Sequence, residues 1–116
     1  MALYRSVLDL IGDTPTVDIS ALSPNPDVAI FAKLEGQNPG GSVKDRAAKA
    51  MVEAAERDGR LQPGMTVLES SSGNTGIALA MICKIKGYPL KIVLPENVSI
   101  ERRQALEVWG TEIISS

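Results

Sequence analysis

Histidine is absent from the 116 residues, so a Ser-His-Asp triad, a histidine metal site and a histidine general base are all excluded within the chain. Cysteine occurs once, at Cys83, which rules out an internal disulfide and a multi-cysteine zinc or iron–sulfur site. The stretch Ile77–Cys83 around it is apolar, so a buried, inert thiol is expected. Aromatic residues make up only 3% of the chain, too few for the stacking platforms that bind single-stranded nucleic acid. Neither charge sign is blocked along the sequence: 12 Lys+Arg face 14 Asp+Glu for a formal charge of -2, without the basic footprint of a nucleic-acid surface. No apolar run reaches the length of a membrane span, and Met1–Arg5 lacks a basic segment leading into a signal-peptide core. A cytosolic setting is expected, with no metal, membrane or nucleic-acid partner.

What is present is a composition 44% hydrophobic and 22% charged, which fits one soluble globular domain. Folding at this length removes about two-thirds of the unfolded chain's surface from water, enough for a core with little margin. Strand-like and helix-like segments alternate between Gly, Pro and Ser punctuation. After a helix-like opening from Tyr4 to Ile11, the run Val28–Leu34 reads as a strand. A helix follows from Ser42 to Asp58, opened by a Ser42/Asp45 capping-box pattern and stopped by Gly59. Strands at Met65–Glu69, Leu90–Leu94 and Glu112–Ile114 then alternate with helices at Thr75–Lys86 and Ser99–Trp109, which end at Gly87 and Gly110. This order predicts an α/β fold, a three-layer parallel sheet with flanking helices and right-handed crossovers. A parallel sheet needs cover on both faces, and Ser115-Ser116 follow directly on an apolar strand, so a cut domain or a docking partner is expected.

On a wheel of about 100° per residue the helix from Ser42 places Val43, Ala47, Ala48, Ala50, Met51, Val52, Ala54 and Ala55 on one arc. Asp45, Arg46, Lys49, Glu53, Glu56 and Arg57 fill the other. Lys44 is the one charge inside the apolar arc, and it stands in the first turn, where the helix dipole disfavours an ammonium. Both effects favour the uncharged amine, which suits a Schiff-base nucleophile that later accepts a proton. A lysine whose stem packs on the helix while its head reaches water is the plain alternative.

The loop Glu69–Gly76 again joins a strand's carboxyl end to a helix start, where open α/β sheets bind ligands. Gly73 and Gly76 let backbone approach a ligand, Ser71, Ser72 and Thr75 can donate to a carboxylate, and Asn74 both donates and accepts. An ordinary Ser-rich N-cap turn is the alternative. Gly36–Lys44 lacks the Gly-Lys-Ser/Thr of a P-loop, and no dinucleotide fingerprint occurs. Glu96 and Glu101 could be paired acids, but capping by Ser99 with an acidic first turn explains Glu101 more simply.

Four segments in order, Ile11–Pro15, Asn38–Arg46, Ser72–Gly76 and Pro95–Arg103, resemble the cysteine synthases (O-acetylserine sulfhydrylases) and the related cystathionine β-synthases. These are fold-type II pyridoxal-phosphate enzymes, like the β subunit of tryptophan synthase, and residues 1–116 resemble their N-terminal segment plus most of the small domain. The resemblance implies that Lys44 forms the Schiff base with pyridoxal 5'-phosphate and shuttles the substrate's α-proton. It implies that Asn74 bonds the cofactor's phenolic oxygen, and that Ser71, Ser72, Gly73, Asn74 and Thr75 bind the substrate carboxylate in a loop that closes the site.

The implied reaction is β-replacement: acetate leaves O-acetylserine and sulfide adds to give cysteine. Asn74-Thr75-Gly76 favours this branch over the serine and threonine dehydratases, which usually have histidine after that asparagine. The family commonly has Pro-Thr at Ser70-Ser71, Asn at Asp13 and Leu at Thr16; Ser71 keeps a hydroxyl for the carboxylate, while Ser70 in place of proline leaves the loop's rigidity, and with it the choice of substrate, open. The family's Gly-rich phosphate nest and pyridine-nitrogen partner lie outside the matched residues, so this chain alone is expected not to be catalytically competent. Homodimerisation and association with serine acetyltransferase are implied as well. A cystathionine β-synthase-like enzyme, and a non-catalytic paralogue that docks on a full-length subunit, are the competing readings.

Overall fold

Apolar residues run without a break from Ala78 to Cys83 and all six are buried, at most 4% exposed. A helix buried on every side must be central to its domain, and that element is α2 (Asn74–Lys86). The computed structural model describes every residue from Met1 to Ser116. Around α2 stand α1 (Lys44–Arg57), α3 (Ile100–Glu107) and a parallel sheet of β3 (Val67–Glu69), β4 (Leu90–Leu94) and β5 (Glu112–Ser115), in that spatial order.

Central β4 alternates as a half-covered strand does: Leu90, Ile92 and Leu94 are buried against the helices, while Lys91 and Val93 face the other side. Ile92 and Leu94 are fully enclosed, and each burial contributes roughly 1.5–3 kcal/mol. The register pairs Ile92 with Ile113 and Val67 with Leu90, which puts those side chains on the helix face. The second face, carrying Leu68 (66% exposed), Val93 and Ile114 (37% exposed), is open.

The parallel α/β fold expected from the alternation is present, and Leu90–Leu94 has the bounds read from sequence. Gly59, Gly87 and Gly110 follow the three helices with φ of 80–85° as C′ stops. The opening segment is only a 3₁₀ turn, Val7–Leu10. The run Val28–Leu34 does not join the parallel sheet. Its strand β2 (Phe31–Lys33) pairs antiparallel with β1 (Thr16–Asp18) in a separate ribbon. Alternation signals strands but not their partners, and the short β1 directly after Pro15 carries no periodic signal of its own.

Helices α1 and α2 lie parallel. Glu56, near the end of α1, accepts from Lys86 Nζ at 2.7 Å and from Tyr88 Oη at 2.9 Å, both at the end of α2. Their N-termini, and the loops that feed them, therefore share the opposite end of the pair. No helix is long and apolar enough to cross a membrane.

Candidate active site

The loop into α1 is folded around a buried carboxylate. Asp45 is fully enclosed, and its Oδ2 accepts the Gly40 N–H at 2.5 Å. A Cβ on Gly40 would fall 2.2 Å from Asp45 Oδ1, so only glycine lets the loop lie this close. Oδ1 itself has no partner, and burial pushes the Asp45 carboxyl above its ordinary range against the opposing pull of the Gly40 N–H. The expected capping box does not form. Ser42 Oγ accepts from the Lys44 N–H at 3.1 Å, but Asp45 reaches past Ser42 to Gly40, and the helix starts two residues later than expected.

The helix wheel is corrected by the same contact. The buried strip of α1 is Asp45, Ala48 and Val52, not the arc centred on Lys44. Lys44 is exposed, as are Val43 (47%) and Met51 (50%). Within this chain the Lys44 side chain is held in no apolar pocket, and no hydrogen bond or ion pair engages its Nζ. Farther along α1, Met51 and Ala55 border an apolar groove of about 300 Å³ with Met65, Val67 and Leu79.

A polar frame that sequence reasoning did not find braces the base of this loop. Arg46 Nε and Nη2 donate to the two oxygens of Glu35 at 2.8 and 3.0 Å, and Nη2 also reaches Thr14 Oγ1 at 3.0 Å. Asn38 Nδ2 donates to Glu35 at 3.0 Å, while Asn38 Oδ1 accepts the Gly12 N–H at 2.7 Å. The bonds from Arg46, then that from Thr14, hold the Glu35 carboxyl down at about 2. The frame ties the Ile11–Pro15 segment to the Asn38–Arg46 segment, two of the four that carry the resemblance. Glu35 lies outside both, and only the pairing of charges across 11 residues could have pointed to it.

The loop into α2 leaves its donors unpaired. Gly73 precedes the helix without a side-chain cap, and the N–H groups of Asn74, Thr75 and Gly76 have no acceptor within the chain. A Cβ on Gly76 would meet the Ser71 carbonyl at 2.7 Å, so the loop packs directly on the helix start. Ser71 Oγ accepts the Gly73 N–H at 3.3 Å. Ser72 and Asn74 are exposed, and no intramolecular hydrogen bond uses the side chains of Ser72, Asn74 or Thr75. Because α1 and α2 run parallel, this loop and Lys44 lie at one end of the pair. Cys83, fully buried with its thiol raised to about 11 by that burial, takes no part.

An unbonded amine at the start of one helix and unpaired N–H groups at the start of the next stand at the same end of an α/β core, the end at which open α/β sheets bind ligands. The family described as "Pyridoxal-phosphate dependent enzyme" matches residues 7–116. Cysteine synthase B of Salmonella typhimurium is 52% identical over 104 residues, which is 90% of this chain and 34% of that protein. Among solved structures, a hydrogen sulfide-producing enzyme from Fusobacterium nucleatum is 50% identical with a TM-score of 0.90, covering 100% of this chain and 38% of its own. A cysteine synthase from Entamoeba histolytica is 40% identical with a TM-score of 0.93, covering 99% and 35%. The chain belongs to the pyridoxal-phosphate-dependent enzyme family and has the fold of the cysteine synthases. It spans about a third of the length of these relatives.

Proposed function

We infer that these residues form the lysine-bearing domain of a pyridoxal-phosphate-dependent cysteine synthase that makes L-cysteine from O-acetylserine and sulfide. One observation carries the reading: an exposed, unbonded Lys44 shares one end of the α1–α2 pair with the free N–H groups and hydroxyls of Ser71–Thr75. The residues fit the cofactor on the chemistry of the donors present. Lys44 Nζ is free for covalent attachment, and Asn74 Nδ2 is free to donate to a phenolic oxygen. When bound, pyridoxal phosphate supplies an aldehyde for attachment and an electron sink for the substrate's α-carbon.

The chain's own groups then divide the work. The hydroxyls of Ser71, Ser72 and Thr75, with the N–H groups at the start of α2, take the substrate carboxylate and orient its α-carbon. Lys44 would hold the cofactor through Nζ and, as a free amine facing the bound substrate, would accept the α-proton as acetate leaves the β-carbon. The same nitrogen returns the proton after sulfide has added there. A homodimer, a serine acetyltransferase partner and a cytosolic setting accompany this reading. The open sheet face with Leu68 and Ile114 favours a second one, a non-catalytic module docked on a longer subunit. Hetero-oligomers formed on mixing with a full-length homologue would support that second reading.

The test of the first is to incubate the chain with pyridoxal phosphate, reduce with borohydride and map the pyridoxyl group by peptide mass. Selective label on Lys44, with the other lysines as internal controls, is expected. Label spread evenly over the lysines counts against Lys44 as the attachment site.

A further inference from the structure

The segment Pro95–Arg103 carries the resemblance as fully as the lysine and asparagine segments do, yet the function described so far leaves it idle. It forms the turn after β4 and the first turn of α3, which begins at Ser99, whose Oγ accepts the Arg102 N–H at 3.4 Å. From that first turn the Arg102 side chain reaches across to the loop of α2. Its Nη1 donates to the Ser72 carbonyl and lies 3.9 Å from the place a Cβ on Gly73 would occupy.

This is the one side-chain hydrogen bond that reaches Ser70–Gly73 from another element; the other, from the Gly73 N–H to Ser71 Oγ, is internal. Together they hold both polar groups of a single peptide plane. The C=O of Ser72 is bound by Arg102 and the N–H of Gly73 by Ser71. The Asn74 N–H lies in the next peptide plane, one pair of Gly73 torsions away, so a held Ser72–Gly73 plane narrows the directions in which it can point. No carboxylate pairs with Arg102, so its guanidinium is not engaged in an ion pair.

We propose that Arg102 is the positioning residue of the carboxylate loop: it fixes the Ser72–Gly73 peptide and so sets the affinity for an amino-acid carboxylate without touching it. The inference rests on the reading of Ser71–Thr75 as the carboxylate site. A lysine at this position can supply a donor but not the planar fork, and alanine supplies neither.

The test compares the chain with its Arg102→Lys and Arg102→Ala forms by amide hydrogen exchange at Ser72–Thr75, with and without O-acetylserine. The amides of Ile82 and Ile92 report global stability alongside. In Arg102→Ala, exchange at Gly73, whose N–H is bonded to Ser71 Oγ, is expected to rise on the order of tenfold. The O-acetylserine concentration for half-maximal protection should rise by a similar factor, while Ile82 and Ile92 keep their rates and Arg102→Lys recovers part of both effects. Unchanged exchange at Gly73 in all three chains overturns the proposal. So does a loss of protection that is equal at Ile82, because Arg102 would then act on the whole fold. A loosened loop in Arg102→Ala with no response to O-acetylserine in any chain upholds the hold on the loop and counts against the ligand, so the two ideas fail separately.

Discussion

The two ends of the α1–α2 pair use their polar residues in opposite ways. At the C-terminal end Glu56, Lys86 and Tyr88 satisfy one another over the enclosed residues Met81, Ile82 and Cys83. At the N-terminal end Glu35, Arg46, Thr14, Asn38 and Asp45 are engaged in holding loops, and Lys44, Ser72, Asn74 and Thr75 are left with side chains free. One end is closed on itself and supplies stability. The other is kept in shape by a supporting frame and leaves its remaining donors without partners in the chain.

The comparison breaks most visibly if stability does not divide as the contacts do. Ile92→Ala removes a fully enclosed side chain on β4 and is expected to cost about 2–5 kcal/mol in urea unfolding. Lys44→Ala touches no packed or bonded group and should stay within about 0.5 kcal/mol, while selective pyridoxyl labelling disappears. Should Lys44→Ala destabilise as much as Ile92→Ala, the site end is not separate from the core. Next in size is Gly40→Ala. The new Cβ would collide with a carboxylate that has no room to move, at 2.2 Å from Asp45 Oδ1, so the loop must shift at a cost of about 1–3 kcal/mol. Labelling of Lys44 should fall with it, because this loop sets where α1 begins.

Legibility followed the same division. The closed end could be read because its signals are local: the apolar run Ile77–Cys83, the strand Leu90–Leu94, and the stops at Gly59, Gly87 and Gly110. Lys44, Asn74 and their loops were legible as loop-to-helix junctions. The supporting frame was not, because its partners are chosen in space. Asp45 reads as a polar-face residue on any helix wheel, and only the Gly40 N–H folded over it explains its burial. The bond from Arg102 to Ser72 spans 30 residues, and the one from Arg46 to Thr14 spans 32, with no periodicity to announce either. The antiparallel ribbon of β1 and β2 escaped for the same reason.

Acid sharpens the contrast, since both ends hold a lowered carboxylate but the larger shift is at the site end. Glu35 drops from 4.5 to about 2 in the folded chain, so the folded state binds fewer protons than the unfolded one across that window. Its contribution is present above pH 4.5 and is lost as pH falls towards about 2. Glu35→Gln should therefore flatten the acid limb of a plot of urea midpoint against pH, and more so than Glu56→Gln, whose carboxyl is lowered by Lys86 and then Tyr88. An equal effect from the two substitutions would remove the distinction between the frame and the closed end.

Asp45 has the opposite sign, and its effect is expected to be the smallest. Burial raises its carboxyl above 3.8, so the folded state binds more protons than the unfolded one just above that pH. Its stabilising contribution is present below 3.8 and is lost as pH rises through the folded value. Asp45→Asn keeps the acceptor for the Gly40 N–H and removes a buried charge, but puts an amide donor where Oδ1 has no partner. These terms oppose each other, and the net change near about pH 7 should stay within roughly 1 kcal/mol. The asparagine form should gain on the natural chain in urea unfolding as pH rises above 3.8, because only the aspartate titrates. A difference between the two forms that is flat with pH would mean that the Asp45 carboxyl titrates alike in the folded and the unfolded chain, and that burial beneath the Gly40 loop does not raise it.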